Sequence, residues 1–264
     1  MYFCIRDTMF MIKRNCWLIL FLFIILPEAS AQGELEDQPQ IFYRNERTIA
    51  GTLFSNGYGA DIRFAKRKDA FSSFTYGGGI GIIQHPKEYK SQSPYTRDWG
   101  RSYVFGKMNE VMTIRGGIGI QKEIFSKFDR GGISVRYFYS GGLTLVLLKP
   151  VYYLKITGFK ENGRIIYESS QFDPDYMQSI YDIYDRESFF VGVSKTKFRP
   201  GMYIRAGLSF EFSADELDIN SLDAGVQLEG FMTKLPIMAS TDNQQLLLSL
   251  FISYRFGKVI DGKN

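Results

Sequence analysis

The sequence predicts an all-β protein: a transmembrane antiparallel up-and-down β-barrel of about ten strands, with eight and twelve open, and one long loop carrying a short helix. The stretch 244–256, QQLLLSLFISYRF, places Leu246, Leu248, Leu250, Ile252, Tyr254 and Phe256 on every even position; Ser249, Ser253 and Arg255 share the odd ones with Leu247 and Phe251. A period of two is a strand with one apolar and one mixed face. Its length exceeds the roughly 5 to 6 residues usual in globular sheets and suits a tilted membrane span of about 9 to 11 residues or a little more. Two further observations agree: an export signal at the start, and the identity of the charges opposite the apolar faces.

Lys13 and Arg14 precede an apolar run over 17–26, and Pro27 with Ala29-Ser30-Ala31 offers a cleavage site before Gln32. This reads as a signal peptide, because the run falls well short of the roughly 20 residues a spanning helix needs. Both cysteines, Cys4 and Cys16, lie inside it, so the mature chain is expected to lack disulfides, thiolate metal sites and a cysteine nucleophile. A net charge of +4 over 264 residues argues for no nucleic-acid partner. The expected organisation is a signal peptide over 1–31, a periplasmic lead-in over 32–47, the barrel over 48–257 and a periplasmic tail over 258–264.

The strands follow in order. Segments 48–55 and 58–66 flank Asn56-Gly57, a dipeptide suited to a tight hairpin because both residues tolerate positive φ. In 71–83, Phe74, Tyr76, Ile80 and Ile82 share one register, and glycines at 77, 78, 79 and 81 permit bending or close approach. Segment 85–100 is a loop and 101–107 a shorter strand. Clear alternation returns over 111–125 and 133–147. Lys149-Pro150 interrupts it, leaving 151–157 either a bent continuation or a new strand. Segment 158–187 breaks the period with seven acidic residues and a net charge of −4; Asp173-Pro174 before Tyr176, Met177, Ile180, Tyr181 and Tyr184 reads as a capped short helix. A further strand is open over 188–194, and 202–213, 221–233 and 244–256 complete the set.

Opposite the apolar faces stand Asp61, Arg63, Arg115, Glu123 and Arg136, then Arg205, Glu211, Asp223, Glu229 and Arg255, five acids and five bases. A solvent-facing sheet would mix in lysines. Here every in-strand cation of this face is arginine, which pairs with carboxylates in a confined space. The ten are expected to fill a narrow lumen as a paired network.

Several segments resemble the outer-membrane β-barrel proteins of Bacteroidota: the closing LFISYRFGK (250–258), SNGYGADIRFAK (55–66), HPKE (85–88), FDRGGISVRYFYSGG (128–142), LLKPVYY (147–153) and FDPD (172–175). The resemblance implies an outer-membrane location, contact with outer-membrane lipid, and insertion by the barrel-assembly machinery reading the closing strand through Tyr254 and Phe256. The chain departs from a strictly C-terminal aromatic by continuing to Asn264. It permits a role as an accessory subunit beside other outer-membrane proteins.

His85 is the only histidine and lies beside Pro86, far in sequence from any partnered serine, so no catalytic residue is expected. No zinc-ligand or EF-hand spacing occurs; Asp173, Asp175, Asp182 and Asp185 could supply calcium oxygens, but capping explains Asp173 equally well. No metal or cofactor is therefore expected. The leading expectation is a non-enzymatic barrel contacting other envelope proteins through Asp173, Tyr176, Met177, Ile180, Tyr181 and Tyr184 of its long loop; the alternative is a small-solute or ion pore.

Overall fold

Two-residue alternation closes into a ring. The computed structural model describes residues 44–96, 100–127, 132–215, 217–239 and 243–261; the expected signal peptide, most of the lead-in and the last three residues lie outside the described residues. Eight strands, β1 (Arg44–Phe54), β2 (Gly57–Arg67), β3 (Ser72–Ile83), β6 (Asn109–Phe125), β7 (Ser134–Pro150), β11 (Lys197–Glu211), β12 (Asp218–Phe231) and β13 (Leu246–Asp261), form a closed antiparallel barrel in which neighbours along the chain are neighbours in space. The ring closes between β1 and β13, from Arg44 opposite Asp261 to Phe54 opposite Phe251. Both strands reach into the stretches expected as lead-in and tail.

The barrel thus has eight strands where ten were expected. Pro150 ends β7, and the segment after it is a new strand, β8 (Tyr152–Phe159), which leaves the barrel and pairs with β9 (Ile165–Gln171) and β10 (Ile183–Arg186) in a separate three-stranded sheet. The strand expected over 101–107 shrinks to β5 (Tyr103–Val104) paired with β4 (Lys90–Ser91), and 188–194 holds turns and the start of a short 3-10 helix, Val193–Lys195. The capped short helix expected after Asp173 is not formed as one element. Its first part is a turn in which the Tyr176 and Met177 amides donate to the Asp173 carbonyl; its second is a 3-10 turn, Ile180–Asp182, closed by a Ser179–Asp182 capping box. Met177 and Ile183 are both anchored in the core of the loop sheet, so the few residues between them cannot build the 12 or so that an isolated helix needs for stability.

Connections sort by end. The strand bounds put the shorter connections, β2 to β3, β6 to β7 and β11 to β12, at the end that also holds Arg44 and Asp261, and the longer ones, β3 to β6, β7 to β11 and β12 to β13, at the other, together with the tight β1–β2 turn. That turn needs Gly57, because an added Cβ would sit on the Ile82 carbonyl oxygen.

Burial is inverted relative to a water-soluble barrel. Leu53, Leu143, Met202 and Leu248, on four different strands, are each more than 60% exposed, and the outward faces of all eight strands continue the apolar surface. Towards the termini it is bordered by aromatic rings: Phe64 stacks on Tyr76 (5.3 Å), and Phe212, Tyr254 and Phe256 form a row with centroids 6.4 Å apart. The inner faces carry Thr48, Thr52, Thr75, Gln121, Ser209, Gln227 and Ser249 among the charges.

Candidate functional site

Inside the barrel the guanidinium groups organise the polar side chains into connected clusters. Arg63 and Arg255 both reach the same oxygen of Asp223, at 2.7 and 3.0 Å; Arg255 also meets Asp61 at 2.6 Å, and Arg205 approaches Asp61 at 3.5 Å. Beside this group Arg115 pairs with Glu229 at 2.7 Å. Towards the termini, Arg136 pairs with Glu46 and Glu211, Lys127 with Glu211 at 3.0 Å, and Arg67 with Glu123 at 3.6 Å. All ten residues expected in the lumen therefore face inward and take part in ion pairs. Each comes from the inward register of its strand, which a one-residue slip would reverse.

Sequence reasoning missed several members. Glu46 sits in RNERT, a polar stretch without visible period, and Lys127 and Arg67 lie at strand ends. The aromatic lids were also missed: Arg63 lies over Phe138 (4.8 Å), Arg115 over Phe54 (5.0 Å), and Arg205 between Phe54 (5.4 Å) and Phe251 (4.5 Å). Arg205 also donates from Nε to Gln227 at 2.7 Å. Large inward groups need glycine opposite. A Cβ on Gly81 would stand 3.1 Å from a terminal nitrogen of Arg115, and one on Gly117 would crowd the Tyr203 hydroxyl.

The long-loop end is closed by apolar packing. Ile83, Val111, Val146, Leu148 and Phe231 at the strand tips meet Leu235, Ile237 and Met238 of the β12–β13 connection. Above them the loop sheet has its own core, Tyr103, Val151, Tyr153, Phe172, Met177 and Ile183, with Phe105 and Ala239 against it. Tyr153 anchors this unit: fully buried, its hydroxyl lies 2.8 Å from the Val104 carbonyl and 2.9 Å from that of Lys107. Burial pushes the Tyr153 phenol up. Burial, with the Asp185 carboxylate second, raises Tyr103 to about 12.

The six expected contact residues divide on this unit. Tyr176 and Tyr181 are exposed, with Lys155 4.0 Å above the Tyr176 ring. Tyr184 stacks flat on Tyr167 at 4.9 Å across β8. Asp173 accepts the Asp175 amide at 3.0 Å and shapes the turn; Ile180 is half-buried. Met177 is buried, so its expected role as a contact is corrected: it fastens the segment to the loop core instead. Tyr167, on a strand the sequence did not reveal, belongs to the exposed face. Tyr254 and Phe256 point outward in the aromatic row.

His85 accepts the Lys87 amide at Nδ1 (3.1 Å), and its own amide donates to Glu88 at 2.9 Å. These contacts make a turn. Among the described residues no group of three or more His, Cys, Asp or Glu side chains could hold a metal ion.

No family model and no curated protein matches the chain. Among solved structures it is similar to the attachment invasion locus protein Ail of Yersinia pestis (7% identity, TM-score 0.39, covering 83% of this chain and 100% of that one). Neisserial surface protein A shows 10% identity and a TM-score of 0.37 over 83% and 97% of the two chains. The N-terminal β-barrel domain of Pseudomonas aeruginosa OprF shows 11% identity and a TM-score of 0.33 over 81% and 98%. Likenesses this distant bear on none of the chain's activities.

Proposed function

We propose that this chain is a non-enzymatic outer-membrane barrel that displays a folded loop sheet to other envelope proteins. The observation that carries the reading is the separate core of the loop sheet, with Tyr167, Tyr176 and Tyr181 exposed over it. A connection that merely joined β7 to β11 would have no use for a buried core of its own; long structured loops are more often functional. The membrane part rests on the apolar surface around all eight strands, since a closed sheet pairs its backbone groups internally and can face hydrocarbon. The export signal expected at the start of the chain would deliver it to the outer membrane as that hydrocarbon. In single-chain barrels the termini and short turns lie on the periplasmic side, which turns the loop sheet outward and makes the partner one met at the cell surface.

The pore reading is less well supported. The lumen is crossed by ion pairs and capped by apolar side chains, and the cavity among its arginines measures about 60 Å³. The test is site-directed photo-crosslinking on intact cells at Tyr167, Tyr176 and Tyr181, with Leu250 of the barrel wall as the control. A single protein captured at the loop positions and not at Leu250 is expected. No adduct at any loop position, together with ion conductance of the purified protein in planar bilayers, would replace this reading by the pore.

A further inference from the structure

The charges in the barrel do not all cancel. Towards the termini Arg136 and Lys127 face Glu46 and Glu211, and Arg67 faces Glu123, so that section is neutral. Arg115 and Glu229 cancel each other. The remaining cluster joins three guanidiniums, Arg63, Arg205 and Arg255, to two carboxylates, Asp61 and Asp223. One positive charge is left over, and distance assigns it. Arg255 holds Asp61 at 2.6 Å, whereas Arg205 stands at 3.5 Å from the same carboxylate and gives its Nε to the neutral Gln227. The rings of Phe54 and Phe251 on either side supply only a partial counter-charge. A cation removed from water costs free energy unless it is paired.

The surplus borders empty space. The cavity of about 60 Å³ is lined by Arg63, Arg115 and Arg205, with the hydroxyls of Tyr203 and Ser140 on its wall. Arg115 spends Nε on Glu229, and among the described residues neither of its terminal nitrogens makes a hydrogen bond. Asp61 lines the cavity too, but its two oxygens are engaged by Arg255 and by Thr52 with Arg205. Apart from Arg115, its lining from β3 and β6 is the glycines 77–79 and 117 with Thr75, Tyr76, Ile80 and Ile118, which bring no competing charge. A water molecule needs only about 10–15 Å³ of such space, so the cavity admits a few water-sized particles, a single small ion among them.

We propose that the barrel interior binds one small monovalent inorganic anion of the halide class, held by Arg205 and Arg115 with Arg63 behind them. The ion neutralises the cluster and uses guanidinium donors that the protein leaves unspent. This inference does not depend on the partner of the loop sheet. It concerns the barrel interior alone, and loop-sheet variants leave it untouched.

The test uses the full mature chain in detergent, dialysed free of halide. In about 0.5 M sodium bromide or chloride the melting temperature is expected to lie at least about 3 °C above that in sodium gluconate of equal ionic strength, because a ligand bound only by the folded state stabilises it. Crystals grown in bromide should show an anomalous peak beside Arg205 and Arg115. Arg205→Met balances the cluster at two against two and should abolish both the shift and the peak while the barrel still folds. Should that variant fail to fold, the bromide measurements on the unaltered protein decide alone. Equal melting in both salts, a shift without a peak in this cavity, a peak without a shift, or a full shift retained by Arg205→Met would each overturn the proposal.

Discussion

Asp223 is the side chain on which the lumen depends most, and Asp223→Asn measures that dependence. Its side chain is fully buried, and one oxygen takes both Arg63 at 2.7 Å and Arg255 at 3.0 Å. Asparagine keeps the shape and removes the charge, leaving three guanidiniums against Asp61 alone. Breaking a buried ion pair by altering one partner costs about 3–5 kcal/mol, and two pairs are lost here, so the upper part of that range is expected. For a chain of this size about 2–4 °C of melting temperature goes with each kcal/mol, giving a fall of about 10–20 °C. Glu168→Gln on the exposed face of β9 is the control, expected within about 0.5 kcal/mol of the parent. The assay is thermal unfolding in detergent, followed by circular dichroism and by the change in gel mobility when a barrel opens. Adding Arg63→Met to Asp223→Asn brings the excess back to a single positive charge and should recover at least half of the loss, the non-additivity expected of residues in one network. A fall below about 2 °C for Asp223→Asn, or no recovery in the double variant, would refute the view that paired charges hold the interior.

Three further outcomes follow from the same geometry. Leu250→Arg, on the outward face near the middle of the belt, should cost about 2–4 kcal/mol of folding stability in lipid vesicles; a neutral or stabilising effect would mean that this face meets water. Tyr153→Phe removes the buried hydroxyl donor shared by the Val104 and Lys107 carbonyls and should destabilise the loop sheet by about 1–3 kcal/mol, seen as faster proteolysis within 151–196 while the barrel's own melting is unchanged. Tyr103, held neutral to about 12 by burial and by Asp185, binds its proton more tightly folded than unfolded. Its contribution is complete below the usual phenol value near 10 and is lost as pH rises from there through about 12. Tyrosinate absorbance should show a late-titrating phenol that Tyr103→Phe removes, and an unchanged titration in that variant would contradict the assignment.

What could be read from the chain follows from where period two has a physical cause. In β13, β12 and β11 one face meets an apolar surround and the other a crowded polar interior, so alternation is enforced residue by residue and the inward charges are legible without a structure. At Glu46 the strand runs past the apolar belt. Both faces are polar there, and the inward register leaves no trace in RNERT. The strand count failed for the opposite reason. Of the stretch 151–157, Tyr152 to Thr157 lies on a strand, but one whose neighbours β9 and β10 place it in the loop sheet; periodicity reports a sheet with two unlike faces and is silent about which sheet.

Met177 shows the same limit at a single residue. An apolar side chain among acids and tyrosines reads as a contact offered to a partner, because nothing nearby in sequence could bury it. What buries it comes from afar, Tyr103 from the β3–β6 connection and Tyr153 and Phe172 from its own. The main-chain contacts that tie those connections together, Val151 to Met108, Ala239 to Gly106 and Met108 to Ile237, span three separate loops. The loop sheet is therefore tied to all three long connections at once, and its exposed tyrosines are positioned by the strand tips of the ring below them.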